Sequence, residues 1–442
     1  MEKLAYLGGE KAPNVKAPSD IYTWPIITDE DKAAIMDVVE RNAFSQTDIT
    51  EAFEKEFAEW LGMKHCIAVC NGTMSLFAAM FGVGLGAGDE IICPTKTYWA
   101  SCLSSQLLGA SVVFANIDPD TMSIDPKDLE RCLSPRTKAI MVVHYMAYPA
   151  DMDSIMEFAR KHNLKVIEDV SHAQGGLYKG RRLGTIGDVG AMSLMSGKSF
   201  AAGELGALVT NNTEIYERAL AFSHYERNNL KHITETEYLK SFVGLPLSGL
   251  KGRVNQTCSA MARVQLKYYD ERTAEIRRAM NYFYDKLEGL PGIHPIRVDE
   301  STGSNMAGWY VPSMIYRAEE LGGLPVNVFC AAVQAEIGIS VGAGGNFLLH
   351  THNLFKEFDL TNIGKPTRIA FADRDVRETD AALVPSEKVM MIRAPWFKKL
   401  YPEYLDFVAA GYRRVALNAE QLLGSIAEKK KEGRWYGTGD ED

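Results

Sequence analysis

Val166-Ile167-Glu168-Asp169-Val170-Ser171-His172-Ala173-Gln174-Gly175-Gly176 runs from a short apolar stretch into two acids and then into small residues. A second apolar run follows, Met192-Ser193-Leu194-Met195-Ser196-Gly197, and ends at Lys198. Working upstream, the form recurs. Ile67-Ala68-Val69-Cys70, Glu90-Ile91-Ile92-Cys93, Ser111-Val112-Val113-Phe114-Ala115 and Ala139-Ile140-Met141-Val142-Val143 are short apolar runs. Helix-like segments lie between them, near 74–81, 99–108, 125–132 and 152–162. Short buried strands alternating with helices predict an α/β fold, a mostly parallel sheet with helices on both faces. In such sheets ligands bind beyond the carboxyl ends of the strands. Asn71-Gly72-Thr73, Tyr98, His144 and Asp169 all fall there.

Farther out, 190–194 and 207–210 read as strands flanking Lys198. Asp29-Glu30-Asp31 starts a helix, because acids favour the first turn. A second helix runs near 51–61, and a long one from Ser259 to about Leu290. The first two dozen residues, with Pro13, Pro18 and Pro25, read as an irregular arm. Past about 291 the texture changes to a smaller α+β unit with Trp309-Tyr310-Val311-Pro312 and a helix near 329–337. The expected division is 28–275 for a large domain and 276–442, with arm 1–27, for a small one. A C-terminal helix over 407–426 leads to Glu428-Lys429-Lys430-Lys431-Glu432, read as a solvated run.

With 442 residues, 46% of them hydrophobic and 24% charged, the chain resembles an ordinary globular enzyme. A net charge of −9 argues against general nucleic-acid binding. No apolar run approaches the ~18 residues of a membrane span. The start of the chain is too polar for a signal peptide, so a cytoplasmic location is expected. Cys66, Cys70, Cys93, Cys102, Cys132, Cys258 and Cys330 are odd in number and mostly lie in apolar runs, which suits free thiols. His350-Thr351-His352 has no nearby acid or cysteine that would make a zinc set, so no metal is expected.

The candidate site residues suggest one cofactor. Pyridoxal phosphate (PLP) needs a lysine for its Schiff base and a carboxylate for its pyridine nitrogen. Lys198 and Asp169 would supply them. Gly72, Thr73 and Met74 would put free amides at a helix N-terminus, where a phosphate is favoured, although Gly-Thr is also an ordinary N-capping sequence. Ser193 would add a hydroxyl. Tyr98 would stack on a flat ring, and His172 would hold Asp169 or touch a ring oxygen. Each has a blander reading as a core or surface residue. A free Lys198 amine would act as the general base if burial lowered its pKa.

Together these segments resemble the DegT/DnrJ/EryC1/StrS family of PLP-dependent sugar and cyclitol aminotransferases. The resemblance runs through Asn71-Gly72-Thr73, Pro94 to Ser101, Thr137-Lys138-Ala139-Ile140, Val143-His144-Tyr145 and Pro149 to Asp153. It continues through Ile167-Glu168-Asp169 with His172, Gly184 to Asp188, Ser193 with Lys198, Gly203-Glu204-Leu205-Gly206, Gly249 to Arg253, Gln265-Leu266 and Val384 to Glu387. It implies fold type I, a mostly parallel seven-stranded sheet with a smaller α+β C-terminal domain, and a homodimer with shared active sites. It implies Lys198 and Asp169 as catalytic residues. Gly72, Thr73, Met74, Tyr98, His172, Ser193 and, from the neighbouring subunit, Lys251 would bind cofactor. Arg253 and His144 are candidate substrate contacts.

The implied activity takes an amino group from L-glutamate or L-glutamine, through pyridoxamine phosphate (PMP), to a nucleotide-linked keto-sugar or a keto-cyclitol. Alternatives are a dehydratase of the same fold, where sugar dehydratases of the family carry histidine at the lysine position and an aminohydroxybenzoate type carries lysine, and a non-catalytic regulatory protein. The chain departs from the pattern at Met146-Ala147, where glycine is usual, at Leu205, and at Met195-Ser196-Gly197. Residues 222–248 and 343–376 carry none of these motifs and are expected to shape the acceptor site.

Overall fold

The computed structural model describes residues 2–11, 13–245 and 247–425 and the backbone of 433–434. The charged run 428–432 lies outside the described residues. Seven strands form the central sheet: β1 (His65–Val69), β2 (Glu90–Pro94), β3 (Ser111–Ala115), β4 (Thr137–Val143), β5 (Lys165–Asp169), β6 (Val189–Ser193) and β7 (Gly206–Thr210). Their order is β1-β7-β6-β5-β4-β2-β3. All of the sheet's other neighbouring pairs are parallel, but β7 runs antiparallel to both β1 and β6. The strands are apolar without alternation because both faces are covered; Ile67, Ala68 and Val69 are all fully buried.

After α1 (Asp29–Glu40), helices α2 (Asp48–Leu61), α3 (Gly72–Gly82), α4 (Met152–Lys161) and α5 (Thr213–Ser223) flank this sheet. The acids expected to open α1 do so within a capping box, in which Thr28 and Asp31 satisfy each other's backbone amides. The long helix α6 (Gln256–Asp285) packs on α1 and α2 and continues unbroken toward the C-terminal part. There β8 (Ile293–Pro295), β9 (Ser313–Tyr316) and β10 (Met390–Arg393) form an antiparallel sheet, accompanied by α7 (Val326–Ile337) and α8 (Pro402–Leu417). The segment expected as one helix over 99–108 is a 3-10 turn, Trp99–Ser101, followed by a short helix, Leu103–Leu107.

The arm is anchored rather than loose. Leu4 and Ile21 are fully buried, and the Trp24 indole donates to the Lys198 carbonyl at 3.0 Å. Within 343–376, Arg368 is fully buried and donates to the Val112 carbonyl on edge strand β3 and to Asp380. Arg374 pairs with Glu90 on β2. Much of that segment therefore braces a sheet edge. Residues 222–248 are largely irregular, and the buried Arg227–Glu54 pair ties them to α2.

Candidate active site

The carboxyl ends of β1 and β6 and the start of antiparallel β7 meet at one edge of the sheet. Ser193 faces Gly206 across one ladder and Val69 faces Gly206 across the other. Helix α3 starts in this gap. A Cβ on Gly72 would lie 2.5 Å from the Ser193 Cβ, so only glycine lets the helix start approach β6 this closely. Asn71 caps α3 by accepting the Met74 amide at 2.9 Å. That capping leaves the Gly72 and Thr73 amides at the helix entrance, with the Ser193 side chain alongside. A helix N-terminus with a neighbouring hydroxyl favours an anion such as a phosphate.

Asp169 ends β5 and is almost wholly buried. Its two oxygens are oriented by the Ser101 hydroxyl at 2.7 Å and the Ser171 amide at 3.0 Å. Ser101 is in turn hydrogen-bonded to Thr97 at 2.9 Å. The Ser171 hydroxyl accepts the Ser193 amide, which links the carboxylate to the phosphate side of the site. Burial lowers the Lys198 amine to about 8, against the opposing pull of the Asp169 carboxylate. The amine lies 4.3 Å from the centre of the Tyr310 ring. Tyr310 comes from the C-terminal part, between Trp309 and Val311, which both adopt left-handed backbone conformations.

The His172 ring lies 4.7 Å from Tyr310 and 5.4 Å from Tyr145. Its Nδ1 accepts the Met146 amide at 3.2 Å. Burial, followed by the Lys198 charge, pushes His172 well below the usual imidazole range. Tyr98 opens the Trp99–Ser101 turn with its ring against Trp99, at 4.9 Å.

Three further expected residues lie outside this group. His144 is fully buried, with Nε2 on Glu168 at 3.0 Å and Nδ1 accepting the Ala150 amide at 3.1 Å. Both ring nitrogens are therefore engaged within the protein. Glu168 also accepts the Gly184, Ile186 and Gly187 amides. Burial alone would raise this carboxyl, but the His144 bond and the amides outweigh it and leave it lowered. Lys251 is exposed, with its ammonium over the Tyr225 ring. Arg253 pairs loosely with Glu226 at 3.9 Å. Main-chain bonds from Gly252 to Cys70 and Ser223 nevertheless hold this stretch beside α3, near Met74. All seven cysteines are free, as expected. Among the described residues no group of three metal-ligating side chains forms, and His350 is held by Thr95 and Glu387.

Sequence reasoning missed Ser101, Ser171, Tyr310 and Trp24. Ser101 closed a motif already singled out, and Ser171 stands two residues after Asp169. Tyr310 and Trp24 carried no local signal.

A model of the DegT/DnrJ/EryC1/StrS aminotransferase family matches residues 25–359. GDP-perosamine synthase of Caulobacter vibrioides is 37% identical over 240 residues, 54% of this chain and 62% of that protein. L-glutamine:2-deoxy-scyllo-inosose aminotransferase of Streptoalloteichus tenebrarius is 31% identical over 307 residues, 69% of this chain and 70% of that protein. The crystal structure of an aminotransferase from Psychrobacter cryohalolentis superposes with a TM-score of 0.73 at 26% identity, covering 90% of this chain and all of that one.

Proposed function

Because the chain belongs to the DegT/DnrJ/EryC1/StrS aminotransferase family, we propose that it is a PLP-dependent aminotransferase acting on a keto-sugar or keto-cyclitol. The carrying observation is the half-buried Lys198, its amine lowered to about 8 and set within the field of the Asp169 carboxylate. Relatives that act on a nucleotide sugar and on a cyclitol support this acceptor class. L-glutamate or L-glutamine is the proposed donor.

The residues present fit the cofactor. Gly72, Thr73 and Ser193 would hold the phosphate where a Cβ would close the approach. Asp169, fixed by Ser101 and Ser171, would keep the pyridine nitrogen protonated. Bound PLP supplies an electron sink for the carbon that loses its proton. Lys198 would take that proton at Nζ and deliver it elsewhere, and an amine near 8 suits proton movement around neutral pH. Tyr310 lies against the amine, and His172 packs on Tyr310. Lysine at position 198, rather than the histidine of related dehydratases, favours transfer over elimination.

We also infer a homodimer. Leu230, Phe242 and Leu245 expose 55–74% of their surface on 222–248, and burying such apolar side chains against a second copy supports this reading. Light scattering at micromolar concentration tests this. For the activity, the protein supplied with PLP should be yellow and should bleach on adding glutamate or glutamine. Keto-sugars and keto-cyclitols are then screened for return of the colour. Retention of both colour change and turnover by Lys198→Ala would refute the assignment.

A further inference from the structure

The turn after β4 stands where the family pattern has glycine, yet here Met146 and Ala147 take left-handed backbone angles, φ 53° and 68°. Side chains resist that conformation, so neighbouring structure must impose it. The imposed geometry points the Met146 amide at the His172 Nδ1. Tyr145, the first residue of the turn, is buried and donates its hydroxyl hydrogen to Asn346 Oδ1 at 2.9 Å. The Asn346 amide donates back to the same hydroxyl at 3.3 Å. Asn346 is anchored through its own neighbours. Gly344 bonds the Met391 carbonyl, and Ala343 bridges Ile392, both on β10 of the C-terminal sheet. Gly345 fits against the turn with little room, since a Cβ there would lie 3.1 Å from the Tyr145 hydroxyl and 3.2 Å from the Met146 Cε.

We propose that Asn346 and Tyr145 are positioning residues that clamp the 145–147 turn and so hold His172 as the neutral tautomer with its proton on Nε2. An imidazole whose Nδ1 accepts an amide hydrogen must carry its single proton on Nε2. The site thereby gains one fixed neutral donor, suited to an anionic ring oxygen of the bound cofactor. This use of the donor rests on the function proposed above, but the clamp does not. It also assigns a role to the beginning of 343–376: a small-sheet strap reaching across to set a large-domain histidine.

The test uses the full chain, with and without added PLP, and reads the His172 ring nitrogens by ¹⁵N NMR, assigned with His172→Gln. The unaltered protein should show a bare Nδ1 and a protonated Nε2 at neutral pH. Tyr145→Phe and Asn346→Leu should each move both signals toward averaged tautomers, and Asn346→Asp, which keeps an acceptor for the tyrosine hydroxyl, should restore the original pattern. With PLP, donor turnover in the first two variants should fall about tenfold in kcat with KM nearly unchanged, the pattern of a misplaced transition-state contact. Circular dichroism and melting identify any variant that fails to fold, and the other then decides. An unchanged tautomer in a folded variant, or a wild-type ring protonated on Nδ1, would overturn the proposal. The nitrogen readout on cofactor-free protein decides the clamp even if no amino transfer is found.

Discussion

The Lys198 amine offers the most direct test of the site, because its altered basicity exists before any ligand binds. Burial brings it from 10.5 to about 8 while Asp169 opposes the shift. At pH 7 about one-tenth of such amines are unprotonated, against about three in ten thousand for an ordinary lysine, a difference of roughly 300-fold in reactive amine. In free energy the shift corresponds to about 3 kcal/mol. The assay treats cofactor-free protein with a small aldehyde and borohydride across pH 6–10, then maps the trapped lysines by mass spectrometry. Lys55, with its side chain 77% exposed, is the internal reference. Labelling of Lys198 should rise with a midpoint near 8. In Asp169→Asn the opposing carboxylate is gone, so the midpoint should fall further. The unfolded chain keeps the proton up to 10.5 and the folded chain sheds it near 8. Stability should therefore climb with pH across that window, and Lys198→Met should remove this part of the climb. A Lys198 midpoint near 10.5, or a rise in midpoint on Asp169→Asn, would refute the reasoning.

Other perturbations separate binding from scaffolding. Gly72→Ala puts a Cβ 2.5 Å from Ser193, so α3 must move; PLP affinity, read by fluorescence, should weaken at least tenfold, with about 1–3 kcal/mol lost in urea unfolding. His144→Ala leaves the buried Glu168 carboxylate short of a partner and should cost about 3 kcal/mol, while the donor KM of the folded enzyme stays unchanged. A changed KM with unchanged stability would return His144 to the substrate site. Lys398 is buried against the Trp396 and Trp24 rings, and desolvation lowers it to about 5. Between 5 and 10.5 the unfolded chain holds the extra proton, so Lys398→Met should raise the melting temperature at pH 7 and flatten the rise of stability with pH.

The sheet was legible because burial on both faces makes each strand a continuous apolar run, and Ser111–Ala115 was read to the residue. Its order was not, since an apolar run such as 207–210 has no direction written in it, and β7 proved antiparallel. Asp169, Lys198 and the Gly72 turn were visible because they interrupt or end such runs. Tyr310 was not, because it reaches Lys198 only after the chain has crossed into the C-terminal part. His144 looked like a site residue for a sound reason, its place after a parallel strand. Only the register, which sets Val142 beside Glu168 and Val143 beside Asp169, shows that a neighbouring strand supplies its partner.

That register also explains why two adjacent acids do different work. Successive side chains on a strand point to opposite faces, so Glu168 and Asp169 cannot share an environment. Glu168 faces the packed side, where His144 and the 184–187 loop occupy its oxygens. Its charge is spent on holding that loop and the end of β4 in place. Asp169 faces the strand-end crevice, where a hydroxyl and an amide orient it and the Lys198 amine feels its field. The roles are not interchangeable. The double exchange Glu168→Asp with Asp169→Glu would keep both the charge and the composition. It would nevertheless shorten the carboxylate that reaches three amides and lengthen the one that must meet a flat ring. The loss should therefore appear in both urea unfolding and donor turnover, although no charge has been removed.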